Sequence, residues 1–343
     1  MDSLLERIEE NKLDALYLFI NETLRDANEF DRFFVSLLGI LHQNWSIQRV
    51  EVGHEFLTMC TVGDDGLSKQ TELFDCVLNL ESLRTLIISD GYVPRKDNGS
   101  VHTQSLLTAL PNARNLTILD LQRLELQAPD QVQLLAEGLN FLQDSLEDIR
   151  ITGLSLRKGA TGPIDDGKYG LDCAIQACIN MPHLRSLAIS ASTNSTTLRG
   201  MGNVTAGHPN IVNGTAHQPA VAQAALAGRD NAPASSTVYE ASCRQWISKE
   251  LLSKLCQNDS TTLQDLSLRN MNLDDDTCRA IATALTSNSF LTSLDIRQNE
   301  LIGHAGYTAI LQALERNYDL WCTVMVVRVF WSSMLYMRSD FSQ

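Results

Sequence analysis

Residues 291–301 read LTSLDIRQNEL. Leu291, Leu294 and Ile296 are spaced as L-x-x-L-x-L, and Asn299 and Leu301 follow them. Apolar residues make up 44% of the chain, so one such stretch decides nothing. Recurrence at a steady period would decide the fold. A strand–turn–helix unit cannot bury its own apolar face and becomes stable only when copies stack.

The triad recurs. With Ile or Val allowed, it stands at Leu13/Leu16/Leu18, Ile47/Val50/Val52, Leu83/Leu86/Ile88 and Leu116/Leu119/Leu121. It continues at Leu146/Ile149/Ile151, Leu184/Leu187/Ile189, Leu263/Leu266/Leu268 and Leu291/Leu294/Ile296. Successive starts lie 34, 36, 33, 30, 38, 79 and 28 residues apart, and a further start is expected at Leu320. Amphipathic runs fill the intervals: FFVSLLGILHQN, QSLLTALPNA, CRAIATALTSN and GYTAILQALERN. Ile281, Ala282 and Leu285 share one helical face, as do Ile310, Leu311 and Leu314. Asp274 and Asp275 stand where a helix N-cap belongs.

This alternation resembles the ribonuclease-inhibitor type of leucine-rich repeat, over about residues 11–322. The resemblance implies an α/β leucine-rich-repeat solenoid, a horseshoe of about eight repeats, with parallel strands on its concave face and helices on its convex face. Residues 1–322 would form this single array, with a cap helix at 1–12. Only the last full repeat carries the pattern's asparagine, Asn299. Elsewhere the position is Met271, Leu154, Leu124 or Gly91, which predicts irregular turn bonding and curvature in the earlier repeats.

The longest interval, between Leu184 and Leu263, exceeds one repeat by about 50 residues. The surplus is Ser190–Ser236, which has no aromatic residue and almost no charge. Such a segment buries too little apolar surface to offset its ordering entropy, so a disordered insertion within a repeat is expected, with a short helix at Pro219–Ala227. Array structure should resume in VYEASCRQWISKELLSKLC, where Cys243, Ile247, Leu251 and Leu255 share a face. Gly91–His102 and Thr152–Gly170 read as smaller insertions after strands. Residues 323–343 include VMVVRVFWSSMLYM, too short and too interrupted for a membrane helix. They are expected to form an apolar C-terminal cap or a poorly ordered tail.

The formal net charge of −14 argues against a nucleic-acid partner, which calls for a basic footprint. MDSLLERIEE lacks the basic start and apolar run of a secretory signal, so a cytoplasmic chain with reduced, buried cysteines is expected. Eight N-x-S/T tripeptides occur, at Asn21, Asn44, Asn98, Asn115, Asn194, Asn203, Asn213 and Asn258. Asn44, Asn115 and Asn258 are read as turn residues rather than glycosylation sites.

Gly162–Tyr169 imitates a phosphate loop. However, Tyr169 replaces the short hydroxyl that would bind Mg²⁺, and Asp165 and Asp166 would repel phosphates. The seven histidines and the Cys173/Cys178 pair lack metal-ligand spacing. No catalytic residues, cofactor or metal are therefore expected, and no membrane association. What remains is a surface. Strand alternation turns the triads' neighbours to the concave face. Asp120, Asp148, Arg150, Asp265, Arg269, Asp295 and Arg297 are the candidate protein-binding residues there. Tyr17 and Phe19 share that face but are expected to lie under the N-terminal helix. The resemblance implies a monomeric, non-enzymatic protein-interaction module whose partner the sequence does not name. The alternatives are a GTPase-activating or other regulatory protein on the same repeat type, or a recognition fragment of a larger receptor or ligase adaptor.

Overall fold

The structure, a computed structural model, describes residues 2–20, 27–60, 66–89, 103–126, 129–156, 171–192, 247–256, 262–317 and 321–323. Outside them lie Gly91–His102, the phosphate-loop imitation Gly162–Tyr169, the insertion from residue 193 onward with Pro219–Ala227 and Cys243, and residues 324–343. Asn21, Asn98, Asn194, Asn203, Asn213 and Asn258 also fall outside. The chain divides into two units, and Asn194–Arg244 forms the second, outside the described residues. Everything below concerns the first.

That unit is α/β, with one open sheet of parallel strands. In chain order the elements are α1 (Asp2–Glu9), β1 (Ala15–Leu18), α2 (Ala27–Leu41), β2 (Arg49–Gly53), α3 (His54–Met59), α4 (Gly66–Leu78), β3 (Thr85–Ser89) and α5 (Thr103–Ala109). There follow β4 (Ile118–Gln122), β5 (Glu125–Leu126), α6 (Pro129–Phe141), β6 (Asp148–Leu156), α7 (Asp172–Ile179), β7 (Ser186–Ala191) and α8 (Lys249–Cys256). The rest are β8 (Asp265–Arg269), α9 (Asp275–Leu285), β9 (Ser293–Asp295), α10 (His304–Leu314) and β10 (Trp321–Thr323). The strands line up in sequence order, with the two-residue β5 pairing only β6. The helices form a second layer of successive packing, with α4 on α5, α6 on α7, α8 on α9 and α9 on α10, while α2 packs on α4 and α3 on β2. No described helix is long and apolar enough to cross a membrane.

The register confirms the sequence alignment of the triads. Leu16, Val50, Leu86, Leu119, Ile149, Leu187, Leu266 and Leu294 pair in one continuous row. Every residue of the eight triads is buried, Leu13 the least at 9% exposure. A second row reports the same period. The carbonyls of Asp14, Gln48, Arg84, Thr117, Glu147, Arg185 and Gln264 each accept two N–H bonds from the next strand, at 2.8–3.1 Å. Arg185 passes this ladder directly to Gln264 and Asp265, so the long insertion interrupts neither the sheet nor its register. On the helical layer, Asp172 Oδ1 accepts the Ser248 N–H at 2.8 Å and fixes the point where the chain re-enters the array.

Several expectations change. Thr152–Leu156 is not insertion but the continuation of β6, past a register shift at Gly153, whose φ is +65°. Ser190 and Ala191 likewise belong to β7, so the insertion starts later than Ser190. Two of the earlier turns are also regularly bonded, while the turn at Gly91 lies outside the described residues. Arg123, Gly153, Asn270 and Gln298 all take positive φ at the same place, seven residues after Leu116, Leu146, Leu263 and Leu291. Where Asn299 is replaced by Leu124 and Leu154, backbone pairing substitutes: Ser155 N–H donates to Leu124 O at 2.9 Å and Ser192 N–H to Leu154 O at 2.8 Å.

Asp274 caps α9 by accepting from Thr277 N–H at 2.8 Å. Asp275 instead caps the next helix, accepting from Gly303 and Gly306 N–H at 2.6 and 2.9 Å. At the C-terminal end, Cys322 rather than Thr323 pairs with Leu294, one residue off the triad expected from Leu320. A one-residue slip exchanges the two faces of a strand.

Candidate functional site

Alternation leaves each strand with three side chains on the sheet face opposite the triads. The middle row runs Tyr17, Glu51, Ile87, Asp120, Arg150, Ala188, Ser267 and Asp295. All seven candidate residues lie on this face, six of them in two clusters. Arg150 grips Asp148 through Nε and Nη2 at 3.2 and 2.7 Å, with Asp120 directly across on β4. Arg297 grips Asp295 through Nε at 2.9 Å and Nη2 at 2.6 Å, and Arg269 approaches the same carboxylate at 3.6 Å. Between them β7 presents only Ser186, Ala188 and Ser190. Asp265 stands in the row of Asp148, two strands away, and is exposed.

The face is therefore neutralised from within. Each such pair joins residues two apart on one strand, and such partly exposed pairs contribute roughly 0–1 kcal/mol each. Asp120 is the exception. Its Oδ2 accepts a long bond from Gln122 at 3.5 Å, while Oδ1 is buried without a hydrogen-bond partner among the described residues. Burial raises its carboxyl pKa above the ordinary aspartate value, against the lowering effects of the Gln122 bond and Arg150.

The N-terminal end differs from what the sequence suggested. Tyr17 and Phe19 are 54% and 42% exposed, so α1 does not cover them. The helix instead buries Ile8, while the Asn44 amide donates to Ile8 O at 2.7 Å. Asn44 is itself buried and bonded to Ser46 and Ile47 N–H, which makes it a turn residue. The Phe19 ring lies on Gly53, where an added Cβ would stand 2.7 Å from the ring. Arg49, bonded to Glu51 at 3.1 Å, extends over the Tyr17 ring at 5.8 Å from its centre. The pair Arg49/Glu51 was absent from the candidate set. Its signal, opposite charges two apart on a strand, is the same one that marks Asp148/Arg150 and Asp295/Arg297.

Protein-family models give no match to this chain, and neither do curated proteins. Cys60, Cys76, Cys178, Cys256 and Cys278 are buried free thiols, each pushed up to about 12 by desolvation, so they stay protonated at neutral pH. No group of three His, Cys, Asp or Glu among the described residues is placed to hold a metal ion. An open cleft between α8 and α9 carries Lys249, Lys254 and Arg279, but Glu250 and Asp276 share it and Arg279 is paired with Asp276.

Proposed function

We propose that the chain is a leucine-rich-repeat solenoid of the ribonuclease-inhibitor-like type, a horseshoe with its strands on the concave face and its helices on the convex face. In this reading it is a monomeric, cytoplasmic, non-enzymatic module that binds a protein partner on the concave face, through Asp120, Asp148, Arg150, Asp265, Arg269, Asp295 and Arg297 together with the aromatic end of the same surface. The one observation that carries the reading is the exposure of Tyr17 and Phe19 on the sheet face. Large aromatic side chains standing in water beside ordered charge pairs are the composition of a protein-binding surface. The buried triads and the helical layer behind them support the repeat assignment.

The test is capture from a native lysate by the full chain, compared with two variants. Ser267→Trp places bulk on the middle row, whereas Lys254→Glu changes only the helical layer. A protein held by the wild type and by Lys254→Glu but lost with Ser267→Trp is the expected result. A small GTPase in that role would turn the reading towards regulation of nucleotide hydrolysis. Proteins lost with Lys254→Glu and kept by Ser267→Trp would overturn it.

A further inference from the structure

The two ends of the sheet face are chemically unlike. On β8 and β9 Arg297 is held by Asp295, and Arg269 lies 3.6 Å from the same carboxylate, its Nε without a hydrogen-bond partner among the described residues. On β1–β4 the balance is uneven. Arg49 gives Nη2 to Glu51 and lies over the Tyr17 ring, its Nε without an acceptor among the described residues; Arg150 is turned to Asp148, and Asp120 Oδ1 has no donor there. Tyr17 and Phe19 stand exposed at one end of this stretch, Ile87 lies half-buried between them and Asp120, and Ile118 lies half-buried beside Asp120 on β4. Each neighbouring strand thus carries either an uncovered apolar side chain or an acid.

Resting on the interaction reading above, we propose that the strands β1–β4 are where the partner docks, and that the partner presents a lysine or arginine to Asp120 and a bulky apolar side chain to Tyr17 and Phe19. Charge complementarity selects this occupant. A cationic group offsets the charge of the half-buried Asp120 carboxylate, and an anionic group would meet Asp120 and Glu51 in the same row. Tyr17 and Asp120 are three strands apart in register, about 14 Å at about 4.8 Å per step. The partner's two anchors should be separated by the same distance, across rather than along the strands.

The other exposed aromatics do not compete as a site. Trp45, Phe141 and Phe290 are 70%, 72% and 49% exposed, but they belong to separated helix-to-strand turns and share no surface row.

The experiment selects binders to the full chain from a display library of random short peptides, then measures the remade peptides by calorimetry. Peptides pairing Lys or Arg with an aromatic or aliphatic residue should be enriched. Their affinity should fall at least about tenfold on Asp120→Asn, a change of one carboxylate to its isostere, and similarly on the double change Tyr17→Ser plus Phe19→Ser. Lys254→Glu, in the helical layer, should leave affinity unchanged, and equal melting temperatures establish that the variants are folded. Acidic peptides, or peptides indifferent to Asp120→Asn, would overturn the proposal while leaving the sheet face as a binding surface if Ser267→Trp still blocked them. Recovery of no peptide, or only of peptides indifferent to Ser267→Trp as well, would overturn both. A wild-type chain that sediments as a dimer, with Asp120→Asn a monomer, would identify the occupant as a second copy and overturn the proposal.

Discussion

Asn299 offers a sharp quantitative test of how the repeats are joined. Its amide donates at 2.8 Å to Leu268 O and at 2.8 Å to Ile296 O, while its Oδ1 accepts Met271 N–H at 2.8 Å and Leu273 N–H at 3.1 Å. One buried side chain therefore holds two successive turns. Replacement by Ala leaves the Met271 and Leu273 N–H groups without that acceptor, in residues each 1% exposed. At about 1–3 kcal/mol for each buried unsatisfied group, and with the carbonyls losing less, Asn299→Ala should cost about 3–5 kcal/mol. Urea denaturation would measure the total, and amide hydrogen exchange would localise it at Met271 and Leu273. Asn299→Leu should not restore stability, although Leu124 and Leu154 fill the equivalent position. In those repeats the backbone of Glu125 and Leu126 pairs with Ser155 and Leu156 and supplies the bonds instead. A loss below about 0.5 kcal/mol for Ala, or full recovery with Leu, would show that filling the position matters and the asparagine ladder does not.

The remaining expectations follow the same register. Leu294→Asp places a carboxylate at a site of 0% exposure and should unfold at least the C-terminal strands, whereas Thr292→Asp, exposed two residues away, should shift the melting temperature little. Asp275→Ala removes the shared acceptor of Gly303 and Gly306 N–H and should destabilise α10 by roughly 1–2 kcal/mol, seen as faster exchange in its first turn. Because the Asp120 carboxyl binds its proton more tightly folded than unfolded, its contribution to stability falls as pH rises through the acidic range from the unfolded value. Asp120→Asn should therefore raise the melting temperature at neutral pH and change it little where the acid is already protonated.

The strands were legible because parallel strands buried behind one face repeat a short apolar pattern at a steady interval, and all eight triads fell in register. The misreadings arose where local pattern and long-range packing part. Leu320 looked like a triad start, yet pairing sets Cys322 opposite Leu294. Thr152 looked like the opening of a loop because Gly153 breaks the alternation, yet the strand continues beyond it. The contact from Asp172 to Ser248 spans 76 residues, and nothing local marks either partner. On the sheet face, membership followed from alternation alone. The pairing of Arg150 with Asp148 and of Arg297 with Asp295 was readable in principle from their two-residue spacing. The exposure of Tyr17 and Phe19 was not, since it depends on where α1 comes to rest.

The central claim, that the sheet face receives the partner, is tested most directly by hydroxyl-radical footprinting of the full chain alone and with its captured partner. The exposed aromatics supply both probe and control. Tyr17 and Phe19 lie on the sheet face, and Trp45, Phe141 and Phe290 lie at the helix-to-strand turns. Loss of oxidation at Tyr17 and Phe19 on binding, with Trp45, Phe141 and Phe290 unchanged, is the result this account requires. Protection of the turn aromatics, with Tyr17 and Phe19 oxidised as in the free chain, would contradict it.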